Sequence, residues 1–188
     1  MSHTQKGKLI VISAPSGTGK TSLVKALLKN SKDLILSIST TTRKPRVGEK
    51  EGRDYFFVNK SKFDELKSNG NFIEWAEVYG NLYGTSSDWI KKKISEGKKI
   101  ILEIDWQGAR QIRKKFEQSE KLITIFLKPP SLEELASRLK YRGQDSQETI
   151  NSRISLAKND LKHSHDFQHV IINDDFELTL KKIKDIIG

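Results

Sequence analysis

Ala14, Pro15, Ser16, Gly17, Thr18, Gly19, Lys20 and Thr21 follow one another in that order. Small residues, two glycines, a lysine and a hydroxyl so arranged are suited to holding phosphate. Gly17 and Gly19 let the backbone wrap so that successive N–H groups point inward at phosphate oxygens. Lys20 is placed to reach the β and γ phosphates of a triphosphate, and the Thr21 hydroxyl is a ligand for Mg2+. The pattern is G-x-x-x-x-G-K-[ST] with Ala14 in the place of the first glycine. Alanine serves there provided that φ is not positive. A strand-like run, Leu9–Ile12, precedes the loop and a helical pattern follows it, the context that separates such a motif from an accidental glycine turn. A helix starting at the loop adds its own partial positive charge toward the anion.

Charge points the same way. The 188 residues carry 34 Lys and Arg against 24 Asp and Glu, a net +10 that calls for an acidic partner: a nucleic acid, a membrane surface or a small phosphorylated ligand. Lysine is spread over the whole chain, but arginine is not. Arg43, Arg46 and Arg53 form one cluster, and Arg138, Arg142 and Arg153 another. The guanidinium is a rigid fork that matches phosphate, so two compact clusters read as discrete phosphate sites more than as one long electrostatic stripe. The chain has no cysteine, which excludes disulfides, thiolate metal sites and a thiol nucleophile and fits an intracellular protein. The longest apolar run near the N-terminus is Leu9–Ile12, too short for a signal peptide or a membrane span.

These groups need a scaffold. Apolar runs at Leu9–Ile12, Leu34–Ile38, Ile100–Ile104, Leu122–Leu127 and Val170–Ile172 mostly lack alternation, as strands buried on both faces of a parallel sheet do. Helical patterns lie between or after them. Leu23, Val24, Leu27 and Leu28 share one face. Pro129-Pro130-Ser131 opens a helix with Leu132, Leu135 and Leu139 on one side, and the last helix carries Leu180, Ile183 and Ile187. Alternating strands and helices predict an α/β fold, a parallel sheet flanked by helices. Two segments break the rhythm. Residues 39–89, with turn signals at Pro45, Gly48, Gly52, Gly70, Gly80 and Gly84, read as an inserted mixed β/α subdomain. Around Tyr141–Arg153, Gly143 interrupts a helix, and Asp145 with Glu148 resembles a capping box opening the next one, which reads as a short hinged flap.

Further motifs stand in order along the chain: Ser-Thr-Thr-Thr-Arg-Lys-Pro-Arg (39–46), Tyr55, Phe-Ile-Glu-Trp-Ala-Glu (72–77), Gly-Asn-Leu-Tyr-Gly-Thr (80–85), Ile-Asp-Trp-Gln-Gly (104–108), Arg-Gly-Gln-Asp-Ser (142–146) and Asn-Asp-Asp (173–175). Together with residues 13–21 this sequence resembles the guanylate kinases, P-loop nucleoside monophosphate kinases that move a phosphoryl group from ATP to GMP. The resemblance covers the chain from about Lys8 to Ile187. It implies one domain over 1–188: a P-loop core (1–38, 90–137 and 156–188), a GMP-binding subdomain (39–89) and a lid (138–155). It also implies GMP and dGMP as acceptors, Mg2+ with ATP as donor, a cytoplasmic setting, and neither nucleic acid nor membrane as partner.

The resemblance assigns roles residue by residue. Residues 14–21 resemble the ATP cradle, with Lys20 acting on the transferring group and Thr21 on Mg2+, assisted through water by Glu103 or Asp105. Arg43, Arg46, Tyr55 and Tyr83 resemble the clamp on the GMP phosphate. Glu74 resembles the base reader: guanine offers N1–H and an N2 amino group to a carboxylate, whereas adenine presents an acceptor. Ser39 and Thr85 resemble hydroxyls that complete the guanine contacts, and Asp105 the acid near the guanine amino group. Arg138, Arg142 and Arg153 resemble the lid arginines that close over ATP, Arg153 also facing GMP, and Asn173 a contact to the adenine edge. Lys20, Arg43, Arg138, Arg142 and Arg153 are the expected catalytic group.

Taken singly, several of these residues also fit plainer roles. Tyr55 and Tyr83 suit the core of the insertion, Glu74 a strand surface, and Glu103 and Asp105 helix caps at a strand end. His163, His165 and His169 invite a metal reading, but with no cysteine near them and no role in the resemblance they fit locally bonded histidines better. Trp75, Trp89 and Trp106 fit packing anchors. The alternative of another class is a non-catalytic guanylate-kinase-like interaction module. Such modules lose phosphate-binding residues, and here Lys20, Thr21 and both arginine sets are present. No aromatic–basic motif supports a nucleic-acid binder.

Overall fold

A computed structural model describes residues 7–29, 31, 33–117, 119–143 and 146–188. Among them the chain runs β1 (Lys8–Ser13), α1 (Lys20–Lys29), β2 (Leu34–Leu36), β3 (Thr40–Thr41), β4 (Phe56–Phe57), α2 (Lys60–Ser68), β5 (Phe72–Val78), β6 (Asn81–Ser86), α3 (Ser87–Ser95), β7 (Lys99–Glu103), α4 (Trp106–Lys115), β8 (Leu122–Lys128), α5 (Leu132–Tyr141), α6 (Gln147–Lys162), β9 (His169–Ile172) and α7 (Phe176–Ile187), with a single 3-10 turn at Ser164–Asp166.

In β1, Leu9 to Ile12 have no exposed surface. Ile10 and Ile12 pack with Leu23, Val24 and Leu27 of α1 and Leu180 and Ile183 of α7. Leu9 and Val11 pack with Ile90 of α3 and Ala109 and Ile112 of α4 on the other face. A strand buried on both sides has no polar face to alternate, which is why these runs read as continuous apolar segments. The sheet has the order β2-β7-β1-β8-β9, and every pairing in it is parallel. This is the expected α/β architecture. The predicted strand Leu34–Ile38 closes at Leu36; Ser37 N still donates to Ile101 O at 2.9 Å before the chain leaves the sheet.

The insertion forms its own sheet, β4-β3-β6-β5, in which β3–β4 is parallel and the other pairs are antiparallel. Phe63 of α2 is fully buried against it, its ring 4.7 Å from Phe72. After β8, Ser131 caps α5 by accepting from Glu134 N at 3.0 Å. Gly143, at φ +63°, ends the turn that follows. Asp145, read as the start of the next helix, lies outside the described residues. The observed cap of α6 is Ser146, whose Oγ accepts from Thr149 N at 3.2 Å. Leu135 and Leu139 of α5 bury against Ile150 and Ala157 of α6, so the flap is a packed helical hairpin. Helices α3, α5 and α6 each run across the expected segment boundaries at 89, 138 and 155, because a helix continues as long as its buried face does. No helix among the described residues is long and apolar enough to cross a membrane.

Candidate active site

Because the central strands are parallel, the segments that follow them all emerge at one edge, the usual ligand edge of such a sheet. β1 leads into residues 14–21, β2 into Ser39 and the insertion, and β7 into Ile104 and Asp105. β8 leads into the helical hairpin and β9 into Asn173. Residues far apart in sequence are therefore gathered by topology alone.

Gly17 and Gly19 adopt φ of +92° and +98°, which an L side chain resists. Tyr79 is the only other residue type at positive φ among those described, so Ala14 meets its condition. A Cβ at Gly17 would fall 2.8 Å from Leu139 Cδ2, and one at Gly19 2.8 Å from Asn173 Nδ2. The loop is thus walled by α5 and by Asn173. Helix α1 begins at Lys20, aiming its N-terminal amides at the loop. Lys20 Nζ donates to Ile104 O at 3.4 Å, and Thr21 Oγ1 donates to Glu103 Oε1 at 2.5 Å. Among the described residues Thr18 Oγ1 is buried without a hydrogen-bond partner, a local cost of about 1–3 kcal/mol.

The arginines expected in the lid divide. Arg153 Nη1 donates to Ser16 Oγ at 3.0 Å, so α6 touches the cradle directly, and its guanidinium lies 5.9 Å from the Tyr79 ring. Arg138 Nε donates to Glu134 and its Nη1 to Asn173 O at 3.1 Å. Arg142 is the exposed C-cap of α5. Asn173, expected at an adenine edge, is buried and donates from Nδ2 to Thr18 O at 2.6 Å; its amide braces the cradle.

On the acceptor side, the Arg43 guanidinium sits 5.2 Å from the Tyr55 ring centroid, and Tyr55 stands edge-on to Tyr83 at 6.0 Å. Burial pushes the Tyr55 phenol up, with the negative charge of Glu103 adding to it. Arg43, Arg46, Tyr83, Tyr79 and Asn81 line one side of a cavity of about 360 Å³, and Glu148, Thr149, Ser152 and Arg153 of α6 line the other. Arg53, clustered with Arg43 and Arg46 in sequence, pairs instead with Asp54 at 2.6 Å and is largely exposed.

Glu74 is only 3 % exposed and accepts from Thr85 Oγ1 at 2.5 Å. A surface-strand reading of Glu74 is therefore excluded. Burial pushes its pKa up to about 7; Thr85 and Lys115 oppose that shift and Asp105 adds to it. The carboxylate rests against the first turn of α4, where a Cβ at Gly108 would lie 2.3 Å from Glu74 Oε2. Asp105 caps that turn, accepting from Gly108 N at 2.9 Å and from Gln107 Nε2 at 2.9 Å. The sequence leaves Asp105 open between cap and ligand, and the cap is what the structure contains. Replacing Gly108 with alanine is expected to leave the melting temperature within a few degrees, since the helix gains about 1 kcal/mol of propensity and the clash falls on the movable end of a side chain. Turnover with the acceptor should fall at least tenfold as Glu74 swings aside. Thermal melts beside steady-state kinetics check both.

Three features escape a reading by motifs. Gln107, Gln111 and Lys115 donate to the carbonyls of Glu77, Trp75 and Ile73, and Gln111 Oε1 accepts from Trp75 N, so one face of α4 pairs the outer edge of β5 and holds Glu74 in place. Their i, i+4, i+8 spacing is legible, but not the strand that they meet. Asp160, seven residues after Arg153 on the same face of α6, is pushed up to about 6 by burial and by Asp105, against the opposing influence of Lys20 and the Trp106 indole. Glu49 binds Arg43 and is taken up below. The His163 ring stacks on Trp106 at 3.6 Å, His163 and His165 both lie beside Asp166, at 3.8 and 3.7 Å, and His169 opens β9. No group of three or more His, Cys, Asp or Glu placed to hold a metal exists among the described residues.

Known proteins carry the same pattern. The sequence model of the family described as guanylate kinase matches residues 6–188. A guanylate kinase of Rickettsia conorii is 46 % identical over 187 residues, covering 100 % of this chain and 80 % of that protein. One of Nitrosospira multiformis is 50 % identical over 184 residues, covering 98 % and 86 %. The crystal structure of guanylate kinase from Anaplasma phagocytophilum superposes with a TM-score of 0.80 at 36 % identity, covering 97 % of this chain and 85 % of that one. With the cradle, the arginine-lined cavity and a buried carboxylate gathered at one sheet edge, the chain belongs to the guanylate kinase family, enzymes that transfer a phosphoryl group from ATP to GMP.

Proposed function

We propose that the chain performs this transfer between the cradle of residues 14–21 and the cavity under Arg43 and Arg46, with residues 39–89 presenting the acceptor and residues 138–155 closing over the donor. The observation that carries the reading is the contact of Arg153 with Ser16 from a helix that also lines the acceptor cavity. One side chain thereby spans the two phosphate sites, which is where the γ-phosphoryl group passes.

The division of work follows from geometry and charge. Residues 14–19, Lys20 and the start of α1 hold the ATP phosphates, and Arg138, Arg142 and Asn173 complete the donor side. Arg43, Arg46, Tyr55 and Tyr83 hold the GMP phosphate. Glu74, Ser39, Thr85 and Asp105 face the guanine. Arg153, Arg142 and Lys20 neutralise the charge that spreads over the group in flight. A phosphate monoester dianion is already nucleophilic, so no general base is required. Closure of the hairpin excludes water, which would otherwise intercept the phosphoryl group.

The Thr21 hydroxyl and the Glu103 carboxylate, 2.5 Å apart, are hard oxygen donors beside the cradle. Two such groups with no all-protein cage suit an ion that keeps several waters and takes phosphate oxygens, as Mg2+ does. When bound, Mg2+ offsets charge on the phosphates. Thr21 and, through water, Glu103 or Asp105 would hold it. Free nucleotides as substrates, the absence of cysteine and the absence of a nucleic-acid motif fit work in the cytoplasm with small molecules only.

A coupled assay with GMP, dGMP, AMP, CMP and UMP at fixed Mg·ATP tests the reading. GMP and dGMP are expected to be used, with AMP about a thousandfold poorer or worse because a buried carboxylate facing the acceptor nitrogen of adenine stays unpaired. Equal use of GMP and AMP would remove the role given to Glu74.

A further inference from the structure

Glu49 is an anion set within the surroundings of a proposed anion site, and its placement explains why. Its carboxylate gathers three hydrogen bonds. Arg43 Nη2 donates to both oxygens, at 2.8 and 3.0 Å, and Arg46 N donates to Oε2 at 2.8 Å. Glu49 N returns a bond to Arg46 O at 3.1 Å across a turn in which Gly48 adopts φ +86°, so the turn from Arg46 to Glu49 is tied at both ends. Arg43 Nη1 donates to Lys44 O at 2.8 Å, which leaves its fork little freedom. The pair is well covered, with side chains 14 % and 19 % exposed, whereas a loose surface pair such as Lys60–Asp64 is 77 % and 45 % exposed. Arg43 and Arg46 line the cavity, and Glu49 does not. The carboxylate therefore stands behind the guanidinium and not in the space that a phosphate would take.

We propose that Glu49 is a positioning residue of the acceptor-phosphate clamp, fixing the fork of Arg43 and the backbone of Arg46 in one orientation before the phosphate arrives. The proposal rests on the reading of Arg43 and Arg46 as that clamp. By charge alone, a carboxylate beside an anion site weakens attraction, so its benefit lies in geometry. Its two oxygens accept three hydrogen bonds at once from two donor nitrogens, one on each arginine residue, and a preorganised fork loses less freedom on binding. A neutral amide has one acceptor oxygen group and turns a donor toward the remaining N–H.

The test measures binding of GMP and of guanosine, which lacks the phosphate, to the full chain by calorimetry. Glu49→Gln is expected to weaken GMP about tenfold while guanosine stays within twofold. Guanosine binding also reports that the variant is folded. GMP binding that is unchanged or tighter in Glu49→Gln would overturn the proposal, since Glu49 would then be idle or would compete with phosphate. Equal weakening of both ligands would overturn it too, as that marks a general structural role. Arg43→Gln separates the two readings. If it abolishes the preference for GMP over guanosine and Glu49→Gln leaves that preference unchanged, only the positioning role falls. If it leaves the preference intact, the clamp reading falls and the proposal with it.

Discussion

Replacing Glu74 with glutamine is expected to make the protein more stable at pH 8 and a much poorer kinase for GMP. Burial pushes the Glu74 carboxyl up to about 7 from an ordinary value near 4.5, so the folded chain holds a proton that the unfolded chain releases. For a group raised in this way, the stability is fully present below about pH 4.5 and is lost as the pH rises through 7. The charged form above pH 7 costs about 3 kcal/mol at 1.36 kcal/mol per pH unit of separation. Glutamine has no charge to bury and leaves that loss out, so the melting temperature of the variant should exceed that of the parent at pH 8 and approach it near pH 4.5. Guanine binding goes the other way. N1–H and the N2 amino group both donate to a carboxylate, whereas glutamine keeps one neutral acceptor oxygen and turns its NH2 toward the other donor, a loss of about one to two orders of magnitude at about 1.5–3 kcal/mol for the charge-assisted bond. The parent should also bind GMP more weakly as pH falls below about 7, because the protonated carboxyl offers a donor to N1–H. GMP titrates its own phosphate in the same range, so the difference between parent and variant isolates Glu74. Melts and GMP affinities from pH 5 to 8 decide the matter: an unchanged stability profile would show that the Glu74 carboxylate is not the buried charge described here.

Lys20→Ala is expected to lower turnover by about three orders of magnitude with little change in melting temperature. The ammonium makes one long bond, 3.4 Å to Ile104 O, and is half-buried, so the fold loses little without it. What the site loses is the one lysine among residues 14–21, at the start of α1, which the proposed function places where charge develops on the β and γ phosphates. It also loses the positive charge that holds Asp160 down. Asp160, already raised to about 6 by burial and by Asp105, should rise further. Single-turnover rates at saturating ATP, set beside thermal melts, check the prediction. A loss of activity in step with a loss of melting cooperativity would assign Lys20 to the fold instead.

Much of the site is legible in residues 14–21 because its chemistry is local. Two glycines, a lysine and a threonine at fixed spacing act through backbone torsions that neighbours along the chain dictate, and Gly17 and Gly19 adopt positive φ. The parallel sheet is legible for a similar reason: Leu9 to Ile12 are apolar without alternation, which only burial on both faces tolerates. Arginine clustering in sequence is less informative. Arg43 and Arg46 meet at one cavity, but Arg53 turns to Asp54 at the surface, because a guanidinium reaches several ångströms and the turn at Gly48 decides where it points.

The glycine-rich loop, the strand pattern and the family resemblance are all carried by local residue patterns. Tertiary structure decided which groups meet. The buried Glu74 against Gly108, the side chains of Gln107, Gln111 and Lys115 along the edge of β5, and Asp160 near Lys20 all join residues separated by 30 or more positions. The physical reason lies in range. Torsions and burial periodicity are set by near neighbours, whereas a carboxylate's pKa and an edge strand's partners depend on which distant segment the parallel sheet delivers to the same edge.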